Sequence, residues 1–255
     1  MITPAYLVYY VNIGAIGMMA MLFLGLNSAL HNAGWAIRER AAAVALAAIS
    51  LVGWFLLSST LARFDFFRVD YGRIPTIQYG IVSPILIGGV LIWRSARLAR
   101  VIDAIPQQWL IQVQLYRVLG AIFLILYAAG RLPGLFAWPA GLGDVLVGVL
   151  APVVAVAYAR SPNQNVDLVL MWNLFGIADL IIAVTMGFLT SPSAFQSLAF
   201  HRPSELVSQF PLVMIPVFLV PVSVLLHLAS LMKLRRDVWQ RHLSRTAHVG
   251  VNGVA

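Results

Sequence analysis

Five polar side chains stand in stretches of the chain that are otherwise almost wholly apolar. They are Arg117 in QLYR, Asp144 in GLGD, Asn173 and Asp179 in NLFGIAD, and His227 in VLLHL. A carboxylate can take up a proton or a cation, an imidazole can hand a proton on near neutral pH, and a guanidinium can neutralise either acid or hold an anion. Together they read as an ion or substrate pathway, with Asp179 as the main proton or ion site and His227 as relay. Arg117 supplies counter-charge, Asn173 a hydrogen-bonding neighbour, and Asp144 an outer vestibule with Arg131 as its own counter-charge.

Each residue also has a plain structural reading. Asp144 follows WPAGLG, so it would occupy the first turn of a helix, where free N–H groups and the dipole favour an anion. Arg117 would snorkel to an interface, and His227 would be a hydrogen-bonded packing residue. Asn12 and Asn27 are most simply interhelical glue.

Other chemistry is excluded. There is no cysteine, so disulfides, zinc–thiolate sites and iron–sulfur clusters are ruled out. Bis-histidine haem needs two histidines at matched depth, and His31 stands at a helix end, away from His227. The single lysine, Lys233, lies too near the end of the last helix to carry retinal. No phosphate loop, nucleophile elbow or His/Glu metal cluster occurs at the required spacing. No catalytic residue, metal or cofactor is therefore expected.

The elements that must position these residues are membrane spans. Hydrophobic residues make up 61% of the 255 residues and charged ones 10%, with a mean hydropathy of +0.88. Crossing a hydrocarbon core of roughly 30 Å takes about 20 apolar residues as a helix. Continuous rather than alternating apolar runs favour helices over barrel strands. The expected fold is an all-α seven-transmembrane-helix bundle, a single integral membrane domain over 1–255. Its helices fall at about 4–30, 41–60, 76–98, 111–130, 140–159, 167–189 and 210–233, followed by a basic tail at 234–255.

The first segment lacks a basic flank and a cleavage site and reads as a retained helix. Of the 17 lysines and arginines, Arg63, Arg68, Arg73, Arg131 and Arg202 fall on one side and the remainder on the other. That bias sets the N-terminus outside and the C-terminus in the cytoplasm of a cell membrane, the inner membrane in a bacterium. The +8 charge is thus a matter of topology and lipid contact rather than of nucleic acid. Two outer loops, 61–75 and 190–209, are the longest connections; Ser191 or Ser193 could cap a short helix in the second. Pro84, Pro152, Pro216 and Pro221 fall inside spans and should free carbonyls that neighbouring helices must satisfy.

Helical periodicity gives each of the last four helices a face of small and polar residues. Gln114, Arg117 and Gly120 share one; Gly141, Asp144 and Gly148 another. Asn173, Gly176 and Asp179 form a third, and Ser223, His227 and Ser230 a fourth. Facing stripes of this kind pack closely and bond across. At 1.5 Å per residue, Arg117, Asn173 and His227 would form a layer roughly 9 Å below the cytoplasmic boundary, beneath an outer layer of Asp144, Arg131 and Asp179.

The segments QLYRVLG, LPGLFAWPAGLGD, NLFGIAD and PVSVLLHLASL resemble a family of uncharacterised bacterial multi-pass membrane proteins, over about residues 112–234. The resemblance implies no activity. Three functions follow in order: a small-solute or ion/proton-coupled permease, then a non-catalytic membrane subunit or lipid-binding scaffold, then a membrane enzyme or redox subunit. The expected partners are membrane lipids, a proton or small solute, and a second copy or partner subunit.

Overall fold

The computed structural model describes residues 4–252, with side chains described as far as Arg241. All regular structure among them is helical, and seven helices are long and apolar enough to cross a membrane: Tyr6–Asn32, Ile37–Arg63, Ile77–Arg94, Gln107–Ala128, Gly134–Arg160, Val166–Thr190 and Ile215–Arg241. They are called spans one to seven below. The chain is a multi-pass integral membrane protein. The basic tail from residue 234 continues the last helix, which runs as Val220–Asn252. Residues 253–255 and the side chain of Arg245 lie outside the described residues.

Burial is unequal. Span seven and the turn leading into it lie at the centre, where Val213, Met214, Val217 and Phe218 are fully buried. Span five packs along spans four and six, and span three along span seven. Span two packs on span one, is fully buried only at Ser58 and Ala62, and turns most of its surface outward.

Span three ends at Arg94, short of the expected residue 98. Ser95 then caps a separate helix, Ala96–Ala104, its Oγ accepting from Leu98 N at 3.2 Å. This helix buries Ile102 and exposes Arg97 and Arg100, the pattern of a helix lying in the interface plane.

Spans four and seven are not uniform α-helices. Span four winds as a 3₁₀ helix over Val113–Gly120. With three residues per turn, positions i and i+3 eclipse, which stacks Gln114, Arg117 and Gly120 on one line facing the bundle. Span seven opens with a π turn at Ile215–Leu219, beside Pro216 and Pro221. Proline has no N–H, so Pro221 cannot bond the carbonyl four residues earlier. That carbonyl, Val217 O, accepts instead from Trp54 Nε1 of span two at 3.0 Å.

The two long loops meet on one face of the bundle, the loop face. Ala194 N donates to Arg73 O at 3.0 Å and Val69 N to Ser208 Oγ at 3.2 Å. Neither Ser191 nor Ser193 opens a short helix in the loop; Ser191 instead ends span six, its N–H donating to Gly187 O. The Ser191 hydroxyl bonds Ser204 Oγ at 3.0 Å, which also bonds Thr190 Oγ1 at 2.8 Å. Glu205–Ser208 forms a 3₁₀ turn in the same loop.

Candidate functional site: a shared arginine in mid-membrane

Arg117 is the hub. Its side chain is 1% exposed, so it does not snorkel. Nε donates to Asp144 Oδ1 of span five at 2.7 Å, and Nη2 donates to Asp179 Oδ2 of span six. Nη1 reaches Gly176 O and His227 Nε2 of span seven, each at 3.2 Å. One guanidinium thus joins four helices.

The hydrogen bonds also fix the state of His227. A guanidinium only donates, so Nε2 must accept and Nδ1 carries the proton. Nδ1 then donates to Asn173 Oδ1 at 2.9 Å, consistent with the Asn173 amide nitrogen donating to Val169 O at 2.8 Å and Ser230 Oγ at 3.0 Å. The Trp172 ring lies 5.1 Å from the imidazole, tilted at 54°. With His227 neutral and both acids ionised, two carboxylates face one cation and the cluster carries one surplus negative charge.

Four groups share one depth. Counting residues from the loop-face end of each span at 1.5 Å per residue, Asp144 lies about 15 Å in, Asp179 and Arg117 about 16 Å, and His227 about 18 Å. This is the middle of a hydrocarbon core of roughly 30 Å. The two expected layers are therefore one, with Asn173 a step toward the opposite face. The cause is in the helix ends. Span four starts at Gln107 and span five at Gly134, the latter running unbroken through Pro139, so Asp144 is far from any helix end and is no first-turn cap. Its counter-charge is Arg117, in place of the expected Arg131, which sits in the turn after span four with its N–H bonded to Leu126 O at 2.8 Å.

Glycines make room for the cluster. A Cβ on Gly120 would collide with Asp144, one on Gly143 with Asp179, and one on Gly176 with His227. Gly120 and Gly176 belong to the small faces visible in the sequence; Gly143 was not among them. Two further residues escaped sequence reasoning. Gln107, which preceded the expected start of its helix, donates to Ser230 Oγ at 2.7 Å. Tyr116 bonds Ser223 Oγ and donates to Leu219 O at 3.2 Å.

From the loop face, a cavity of about 50 Å³ descends to this cluster. Its walls are apolar, from Ile77 and Ile81 of span three, Phe136 and Ala140 of span five, and Leu180 to Phe188 of span six. Asp144 is the ionisable residue among those lining it. No group of three or more metal-ligating side chains occurs among the described residues.

Residues 74–235 match a family described as a domain of unknown function, DUF8737. The chain belongs to the DUF8737 family. Every residue of the cluster, and all lining of the cavity except Val69, falls within that match. No curated protein and no solved structure matches the chain.

Proposed function

We propose that this DUF8737 protein is a small-solute or ion permease coupled to a proton or cation at the Asp144–Arg117–Asp179 cluster. One observation carries the reading: two acids share one guanidinium at mid-membrane depth, at the inner end of a cavity. Ionisable groups at that depth are expensive and mark ion and substrate paths. Uptake of a proton by either carboxylate would cancel the surplus charge and free Arg117 to favour the other acid, giving two arrangements of similar bonding. The 3₁₀ and π segments bordering the site are the element types found at hinges and functional sites. With the orientation that the cationic residues favour, the loop face is outside and the cavity opens on that side.

A second reading, a packing scaffold, draws support from the four bonds that hold Arg117 in place. Against it, Gln107 Oε1 and Gln114 Oε1 are buried without a hydrogen-bond partner among the described residues, which is costly in a purely structural seam. Proteoliposomes containing a pH-sensing dye, given a pH gradient and a compensating potassium current, separate the two. Permease function predicts protein-dependent proton flux that falls at least about tenfold in Asp179→Asn while the variant unfolds as cooperatively as wild type. Wild-type vesicles no leakier than empty ones would leave the scaffold; unchanged flux in Asp179→Asn would remove that residue from the path.

A further inference from the structure

The face opposite the loops carries a basic patch that the chain does not neutralise. Span three ends there with Trp93 and Arg94, and Ser95 turns the backbone into the helix Ala96–Ala104. That helix is held by its inner side. Ile102 is buried with Ala229 of span seven in one apolar cluster, against which Leu98 packs. Ile105, just past the helix, is buried with Leu26, Ala29 and Leu30 of span one in another. The end of the helix is pinned as well, since Lys233 Nζ donates to Asp103 O and Arg236 Nη1 to Asp103 Oδ2, each at 3.0 Å.

With its inner side fixed, the helix presents Arg97 and Arg100 outward, both exposed. They stand three residues apart, so they are neighbours on the helix surface and their like charges repel. Asp103 is the helix's own acid, and Arg236 takes it. Neither the Arg97 nor the Arg100 guanidinium has a partner among the described residues. Arg94 stacks on Trp93, its Cζ 5.3 Å from the ring centroid, and Trp93 is 73% exposed. Tryptophans at span ends sit at headgroup level, which sets the depth of the patch.

Chemistry names the occupant. A guanidinium donates in a rigid fork that matches phosphate oxygens, and two of them on neighbouring helix positions, about 5–6 Å apart at Cβ, can share one phosphate. A zwitterionic headgroup would bring an ammonium of its own to a cluster of cations. A phosphodiester without one brings net negative charge. Deeper along span three, Leu86, Ile87, Val90 and Leu91 are apolar and exposed, a surface that suits acyl chains and gives a free phosphate nothing.

We propose that Arg97 and Arg100, with Arg94 at the span end, bind the phosphodiester of an anionic lipid whose acyl chains lie on the outward side of span three. The site stands apart from the charged cluster in mid-membrane and holds whether or not the chain is a permease.

The test is native mass spectrometry of the full-length chain released from micelles and titrated with phosphatidylglycerol or phosphatidylcholine of identical acyl chains. Each arginine at an anionic surface contributes about fivefold in affinity, so the first phosphatidylglycerol should bind at least about tenfold more tightly than the first phosphatidylcholine. Arg97→Gln with Arg100→Gln should shrink that preference to within about threefold. Arg38→Gln with Arg160→Gln removes the same charge from exposed arginines at other span ends on the same face and should leave it intact. A measurement on the unaltered chain keeps the test decisive if a variant misfolds: phosphatidylglycerol with a diazirine in its headgroup should label residues 91–105 in nanodiscs. No preference, an equal fall in both double variants, or label spread evenly over every span end on that face overturns the proposal. Glycerol phosphate, the headgroup without its chains, competing as strongly as the lipid would assign the patch to a free phosphate ester and overturn the lipid site.

Discussion

Arg117→Gln is the perturbation whose size follows most directly from the cluster. The guanidinium makes two bonds to carboxylates, at Asp144 and Asp179. Charge-assisted bonds contribute about 1.5–3 kcal/mol each, so the loss is about 3–6 kcal/mol. Stripping one partner from a buried ion pair costs about 3–5 kcal/mol on independent grounds. The glutamine amide can keep one bond, to Gly176 O or His227, and uptake of a proton by one acid relieves part of the repulsion, so about 4 kcal/mol is expected. For comparison, Asn173→Ala removes uncharged bonds, which within membranes average about 0.6 kcal/mol each. The ionic part dominates. A sharper consequence is coupling: with Arg117 gone, Asp144 is an uncompensated buried charge, so adding Asp144→Asn should recover about 1–3 kcal/mol. Reversible unfolding in mixed micelles, followed by tryptophan fluorescence, measures these three variants and Asp144→Asn alone. A cost below about 1 kcal/mol for Arg117→Gln, or single effects that add within about 0.5 kcal/mol, would refute the shared-guanidinium account.

Other variants probe the surroundings of the cluster. Gly143→Ala places a methyl on the Asp179 carboxylate and should destabilise by about 1–3 kcal/mol and depress proton flux. Gly17→Ala, with nothing within 4 Å of its Cβ, should leave both unchanged or raise stability by up to about 1 kcal/mol through helix propensity; equal effects at the two glycines would count against the close approach. Trp54→Phe leaves Val217 O without its donor and should cost about 0.6–1.7 kcal/mol in the same unfolding assay; a null result would mean that the carbonyl finds another partner. Asp103→Asn breaks the partly exposed pair with Arg236 (3.0 Å) and should shift stability by less than about 1 kcal/mol, an effect that disappears in high salt.

The span count and the cluster's membership were legible because lipid imposes both. Continuous apolar runs announce spans, and an ionisable residue inside one stands out against them. Small-residue periodicity then placed Arg117, Asp144, Asp179 and His227 on mutually facing stripes. Depth was less legible, because it depends on helix ends. WPAGLG reads as a loop in a soluble chain, whereas here the helix that starts at Gly134 runs through Pro139. Starting span five at Gly134 moves Asp144 from the first turn to the midplane, which replaces Arg131 with Arg117 as its partner. The 3₁₀ winding of Val113–Gly120 was invisible for a related reason. At 100° per residue Gln114, Arg117 and Gly120 already share a broad face, and nothing in the pattern separates that from the tighter line they form.

Spans one and two and the rest of the chain before residue 74 lie outside the family match, and two of their hydrogen bonds end on the irregular segments beside the site. Tyr10 OH donates to Leu119 O at 2.7 Å, in the 3₁₀ stretch that carries Arg117. Trp54 Nε1 donates to Val217 O at 3.0 Å, in the π turn that leads into the helix carrying His227. Both bonds end on a backbone carbonyl in a segment departing from α-geometry, where the regular ladder leaves acceptors to be satisfied in a solvent that cannot supply donors. Neither touches a charged group. The charged cluster therefore resides in spans four to seven, and the first two spans reach it through backbone shape, bonding the irregular turns beside the residues that carry Arg117 and His227.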